Sequence, residues 1–221
     1  MVQWKKLRVS AGQSLDYDSF GYKRELNDVL RKEQHGICCY CQRRVDHFQG
    51  DKATGAHNEH LIPENGPQGV FEQQMDYGNL YACCIESQGT RKKEKSKIHC
   101  GEAKADDLIY PFIQMKNCSD YFKYNNNGEI LPAGAFDTWN EYIASESTLN
   151  GLVLDAFKTI KILNLNCLSL VVDRKKTIQA LISLISKMDK VTVARKMNEF
   201  ENLQTFPVFI DMLLYYMKRK K

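Results

Sequence analysis

The stretch from Gly36 to Lys104 gathers six of the eight cysteines and four of the five histidines, with His35 one residue outside it. In order along it stand Cys38-x2-Cys41, Asn58-Glu59-His60-Leu61-Ile62-Pro63, Tyr77-Gly78-Asn79-Leu80, Cys83-Cys84 and His99-Cys100, with Lys104 four residues after the last cysteine. Two thiolates three residues apart can face one cation from a tight turn, so Cys38 and Cys41 read as half of a tetrahedral zinc site. The other half must come from Cys83, Cys84, His99 and Cys100, and Cys84 with Cys100 is the expected pair. A single buried cysteine is as often a small apolar core residue, so the second pair is what makes the reading specific. Between the half-sites, Glu59 can hold a hard divalent cation by oxygen, and neutral His60 can take a proton from water. A metal ligand beside a base is what phosphodiester hydrolysis requires. Asn79, nineteen residues beyond His60, can pin the loop that presents the histidine.

These side chains need elements to hold them. Phe20, Tyr22, Leu26, Val29 and Leu30 recur at helical spacing, which predicts a helix from Ser19 with Asp18 or Ser19 as its N-cap and Gly36 as its stop. Glu59 and His60 should end a short strand that Pro63 terminates, and Asn79 should stand where the chain enters a helix. Upstream, the alternation of Trp4, Leu7 and Val9 suits a short strand or an extended arm. Downstream, residues 120–124, the turn formers Asn125 to Gly128, and residues 129–132 read as a hairpin. Only helices follow, over 136–144, along the stripe Leu152, Val153, Ala156, Phe157, Ile160 and Leu163, then over 168–188, 191–203 and 207–217. Pro207 suits the first turn of the last of these. That helix is apolar nearly all round, so it is either central or covered by another chain.

Composition narrows the class. The 221 residues are 43% apolar and 26% charged, as in an ordinary soluble protein, and a net charge of +4 is too small to name a partner. The distribution of charge says more. Arg91, Lys92, Lys93, Lys95 and Lys97 fill the fifteen-residue gap between Cys84 and Cys100, where a solvated loop could, with Lys104, neutralise phosphates. No run of 18 or more apolar residues is present to span a bilayer, and Met1 to Lys6 holds no apolar leader, so the expected location is cytoplasmic, with no membrane partner. In a reducing compartment the cysteines are better suited to metal than to disulfides. A redox role for the vicinal pairs Cys38-Cys39 or Cys83-Cys84 lacks the βαβ context such chemistry uses.

Taken together, Cys38-x2-Cys41, Glu59-His60-x2-Pro63, Asn79-Leu80 with Cys83-Cys84, and Cys100 followed by Lys104 resemble the HNH (ββα-metal) endonucleases. The resemblance implies an α+β fold: a zinc-stabilised ββα-metal core over 36–110, preceded by an arm and helix over 1–35 and followed by a hairpin and a mainly α-helical region over 111–221. It implies His60 as general base, Glu59 as ligand of a catalytic Mg2+ or Mn2+, and Asn79 as the residue orienting the base loop. Cys38, Cys41, Cys84 and Cys100 would then hold a structural Zn2+. One family position departs, because the histidine or asparagine that follows the final cysteine is Gly101 here. The second metal ligand is then expected at Glu102, His99 or His57.

The segment 159–166 (Thr-Ile-Lys-Ile-Leu-Asn-Leu-Asn) and the following Arg174 resemble the tail of PtuB-like effectors of Septu and retron-Septu anti-phage systems. That likeness implies a nucleic-acid substrate, with DNA the family default and RNA open. It also implies a PtuA-type ATPase as partner and, in retron versions, a reverse transcriptase with its RNA-primed DNA. The competing expectation is a zinc-held binding scaffold whose catalytic site has decayed, with Gly101 as its main support.

Overall fold

The computed structural model of the chain describes residues 16–48, 55–85 and 98–220. The basic run from Arg91 to Lys97 and the alternating Trp4, Leu7 and Val9 lie outside the described residues. Helix α1 (Lys23–Glu33) buries Leu26, Asn27 and Leu30 on one face. It begins four residues after Ser19 because the proposed capping region closes a turn of its own, in which the Ser19 N–H donates to Asp16 Oδ1 at 2.7 Å. Its end is the glycine stop anticipated from sequence: His35 and Gly36 take left-handed φ angles of 53° and 74°, and the Gly36 N–H returns to the Arg31 carbonyl at 2.8 Å.

The chain then doubles back in a knuckle. Ile37 bridges Arg44, the Cys38 N–H donates to the Arg43 carbonyl at 2.8 Å, and Gln42 adopts a φ of 60° to make the turn. Three strands follow, β1 (His47–Phe48), β2 (Gly55–His60) and β3 (Leu80–Cys84), in the order β1-β2-β3. β2 is parallel to β1 and antiparallel to β3, and it aligns His57 with Cys83 and Glu59 with Tyr81. The short helix α2 (Gly101–Lys104) completes a strand–strand–helix unit. Asn79 enters a strand rather than the expected helix. It ends a 3₁₀ turn (Tyr77–Asn79) capped by Asp76, because all five residues of β3 pair with β2 and four of them are buried.

The predicted hairpin is β4 (Phe122–Tyr124) and β5 (Ile130–Pro132), paired antiparallel. Asn125 Oδ1 accepts the N–H groups of Asn127 and Glu129 in its turn, and Gly128 has a φ of 88° where a β-carbon would overlap the Val171 carbonyl. Five helices follow, α3 (Trp139–Ala144), α4 (Gly151–Ile162), α5 (Leu168–Ile185), α6 (Lys190–Glu201) and α7 (Ile210–Lys220). α3 starts later than position 136 because Thr138 and Glu141 form a reciprocal capping box. α7 does not start at Pro207. Phe209 is left-handed (φ 58°) and donates its N–H to the Gln42 carbonyl of the knuckle at 3.1 Å, so helical geometry resumes only at Ile210.

α7 resolves as a central helix, burying Ile210, Met212, Leu213 and Met217 against α5, α6 and β4. The helical region is fastened to the cysteine-rich region at several points. His35 stacks on Phe206 with ring centroids 3.9 Å apart, Arg44 donates to the Phe206 carbonyl at 2.8 Å, and the Gln42 amide bonds to Asp211. Buried apolar residues from Leu26 to Met217 form one continuous cluster, so both regions share a core. None of the described helices is long and apolar enough to cross a membrane.

Candidate active site

The knuckle brings Cys38 and Cys41 to the end of β3 and the start of α2, where Cys84 and Cys100 stand. Their four sulfurs lie within 4.8 Å of one another and all four residues are buried. Cys41 and Cys84 are 3.7 Å apart and Cys38 and Cys100 are 4.0 Å apart. Four thiolates about 2.3 Å from one tetrahedral ion would sit roughly 3.8 Å from each other, so the donor set and its spacing fit zinc. The Cys84 N–H donates to Cys38 Sγ at 3.4 Å, supplying the backbone support expected of a knuckle. Cys100 has a φ of 59° and anchors its N–H on the Leu163 carbonyl at 2.9 Å, which ties the helical region to the last ligand.

Burial pushes the Cys41 and Cys100 thiols well up. Burial also opposes ionisation of Cys38, but hydrogen bonds from the Cys100, Cys39, Cys41 and Cys83 thiols outweigh it and hold Cys38 well below the usual range. Zinc is bound by thiolates, so a bound cation would offset the cost of burying these groups ionised. His99 belongs to this side of the site, with Nδ1 3.1 Å from Cys100 Sγ and 3.9 Å from Cys84 Sγ. Cys83 stands between the two groups: its sulfur is 3.9 Å from Cys38 Sγ, accepts the Gly101 N–H at 3.3 Å and also lies near His57 and Glu59.

Strand alternation sends the His57 and Glu59 side chains to one face of β2 and those of Asn58 and His60 to the other. Glu59 is only 7% exposed. Its Oε2 lies 3.1 Å from His57 Nε2, and its Oε1 accepts the Tyr40 hydroxyl at 3.2 Å and lies 3.3 Å from Lys104 Nζ. Lys104, expected among phosphate-contacting cations, is 1% exposed and donates to the His60 carbonyl at 2.9 Å. Its place at the end of α2 turns it into the sheet, where it neutralises Glu59 and ties that carboxylate to the backbone of His60. The glycine at 101, where the resemblance led to the expectation of a ligand, has a steric reason. A β-carbon there would overlap Glu59 Oε2 and approach His57 Nε2 to 3.0 Å, so the two β2 side chains occupy the space a residue at 101 would need.

His60 is 8% exposed and its Nε2 lies 2.9 Å from the Gln74 carbonyl. A carbonyl only accepts, so the ring carries its proton on Nε2 and presents Nδ1 as a base. The Tyr17 ring meets the imidazole edge-on at 4.6 Å and fixes its tilt. Asn79, 2% exposed, grips the chain just beyond: Oδ1 accepts the Ile62 N–H at 2.7 Å, and Nδ2 donates to the carbonyls of Ile62 at 3.0 Å and Gln73 at 3.2 Å. One amide thus joins the segment after His60 to the segment carrying Gln74. Asn79→Ala leaves the Ile62 N–H without its acceptor and is expected to cost about 1–3 kcal/mol of stability. A lower urea midpoint at unchanged slope, with cleavage falling alongside it, checks this.

The site also uses residues the sequence did not single out. Tyr40 lies between Cys38 and Cys41, and its position inside the knuckle is the one local hint that it faces the site. Gln74 acts on His60 through its backbone carbonyl, for which no residue type is a signal, while its side chain accepts the Tyr17 N–H at 2.8 Å. Among the predicted residues, Glu59, His57, Lys104 and Gly101 converge, His60 and Asn79 share the adjoining loop, and His99 goes to the thiol cluster. Glu102 stands on α2 with one carboxylate oxygen buried and without a hydrogen bond among the described residues.

No protein-family model matches the chain. Over 182 residues, 79% of this chain and 76% of the relative, it is 28% identical to a Vibrio cholerae serotype O1 biovar El Tor protein described as the candidate HNH endonuclease of retron Vc95.

Proposed function

We propose that the protein is a metal-dependent endonuclease of the HNH type that hydrolyses phosphodiester bonds, most readily in DNA, as an effector in a retron setting. The observation that carries this reading is the fixed tautomer of His60, held by the Gln74 carbonyl at the end of the strand that bears the buried Glu59. The similarity to a retron-associated relative supports the same class. His60 Nδ1 takes the proton of the attacking water, while Glu59 and a second ligand hold the catalytic divalent cation. When bound, that cation supplies positive charge at the scissile phosphate and the departing 3′ oxygen. Asn79 keeps the His60 loop in register with the Gln74 segment, and Lys104 holds Glu59 and the His60 backbone together. The products are a 5′-phosphate and a 3′-hydroxyl.

The PtuA-type ATPase and the reverse transcriptase with its RNA-primed DNA belong to this proposal as partners that hold the nuclease in check. The test uses zinc-loaded protein, alone and with the ATPase, on plasmid DNA and total RNA, with Mg2+ or Mn2+ added or omitted. Cleavage that depends on the added cation is the expected result. A second reading, a zinc-held binding scaffold, is favoured by Gly101 alone, and retention of nucleic acid without cleavage under every condition would select it.

A further inference from the structure

We infer that His57 is the second ligand of the catalytic cation, supplied from β2 in place of the ligand that the family carries after the last cysteine. The inference rests on the nuclease reading above and adds to it the residue that completes the metal site. His57 and Glu59 are two apart on one strand and therefore share a face. Their facing atoms, Nε2 and Oε2, are 3.1 Å apart. Two ligands on neighbouring corners of an octahedron with bonds of about 2.1 Å are separated by roughly 3.0 Å, so the pair is already at coordination spacing.

Space argues the same way. The β-carbon missing at Gly101 is the one that would run into Glu59 Oε2 and His57 Nε2. Glycine at 101 thus leaves the space that the His57 imidazole and the Glu59 carboxylate occupy. Among the described residues the one hydrogen bond of the His57 ring is the Nε2–Glu59 contact, which a cation would replace, and Nδ1 is buried without a partner. Binding through Nε2 requires the ring to carry its proton on Nδ1. The side chain is 21% exposed against 9% for Glu59, which leaves an approach from solvent on the histidine side. His99 is engaged with the thiols of Cys100 and Cys84, away from Glu59.

The test is Mn2+ binding to zinc-loaded protein, read by calorimetry and by electron spin-echo modulation from a directly bound nitrogen. Wild-type protein and His60→Ala should both show the nitrogen coupling. His57→Ala and the bulkier His57→Gln should lose it, with affinity at least about tenfold weaker, while zinc content and the circular dichroism spectrum stay unchanged. Glu102→Gln should bind as wild type does. Coupling that persists in His57→Ala, or affinity lost in Glu102→Gln but kept in His57→Ala, would overturn the assignment. Mn2+ bound and cleavage retained without nitrogen coupling in the wild type overturns His57 alone, whereas no Mn2+ binding at all overturns the nuclease reading with it.

Discussion

On the proposed mechanism, His60→Ala is expected to lower cleavage by about 10²- to 10⁴-fold at saturating divalent cation, the range that a positioned general base contributes. The residue is placed for this and for little else. Its Nε2 is committed to the Gln74 carbonyl, no described residue hydrogen-bonds Nδ1, and the Tyr17 ring fixes the plane of the imidazole. Truncation also frees the Gln74 carbonyl, so a loss of about 1–3 kcal/mol accompanies it. Two measurements separate chemistry from folding. Zinc content and Mn2+ affinity should be unchanged, because Glu59 and the cysteines do not depend on this ring. Added imidazole should restore part of the rate in the variant, which a merely misfolded protein would not show. A variant that cleaves at the wild-type rate removes His60 from the mechanism, and one that loses zinc shows the residue to be structural.

The candidate base and the thiol cluster were legible in the sequence to different depths, and the reason is locality. Cys38 and Cys41 are tied by one tight turn, so their spacing alone announces a ligand pair, and Glu59-His60-x2-Pro63 marks the end of a strand by its own residues. Cys84 is the partner expected from sequence, and the register of β3 supplies the physical reason: Cys84 lies opposite Ala56 with its sulfur toward Cys41, whereas Cys83 lies opposite His57 with its sulfur between Cys38, Glu59 and the Gly101 N–H. Gly101 looked like a lost ligand, and its meaning is steric, set by two side chains more than forty residues earlier. Lys104 looked like a phosphate contact because a lysine's surroundings cannot be read from its charge, and the helix turns it inward onto Glu59. The helix starts were misplaced where a residue had a second use. Ser19 closes a turn with Asp16, and Phe209 gives its N–H to Gln42. The first is a local turn and the second a tertiary contact, and neither leaves a periodicity behind.

Removing the zinc is expected to unfold the protein as a whole, beyond the nuclease core. Apparent binding energies for four-ligand zinc sites are about 10–16 kcal/mol, comparable with or larger than the roughly 5–15 kcal/mol that holds a whole domain folded. Here the ligands come from three places in the chain: the knuckle, the end of β3 and the residue before α2. Without the ion, four buried sulfurs would crowd one another with no cation to bind them together. Cys100 also hands its N–H to Leu163, and the buried cluster runs unbroken from Leu26 to Met217, so the helices lose their footing with the knuckle. Chelation, Cys38→Ser or Cys100→Ser should therefore abolish the cooperative thermal transition seen by circular dichroism across the helical signal. Cys39→Ser and Cys83→Ser should keep a single zinc per chain by native mass spectrometry, and Cys84→Ser should lose it. A chelated wild-type chain that melts where the loaded one does would mean that packing of the shared core, and not the ion, holds the four thiols together.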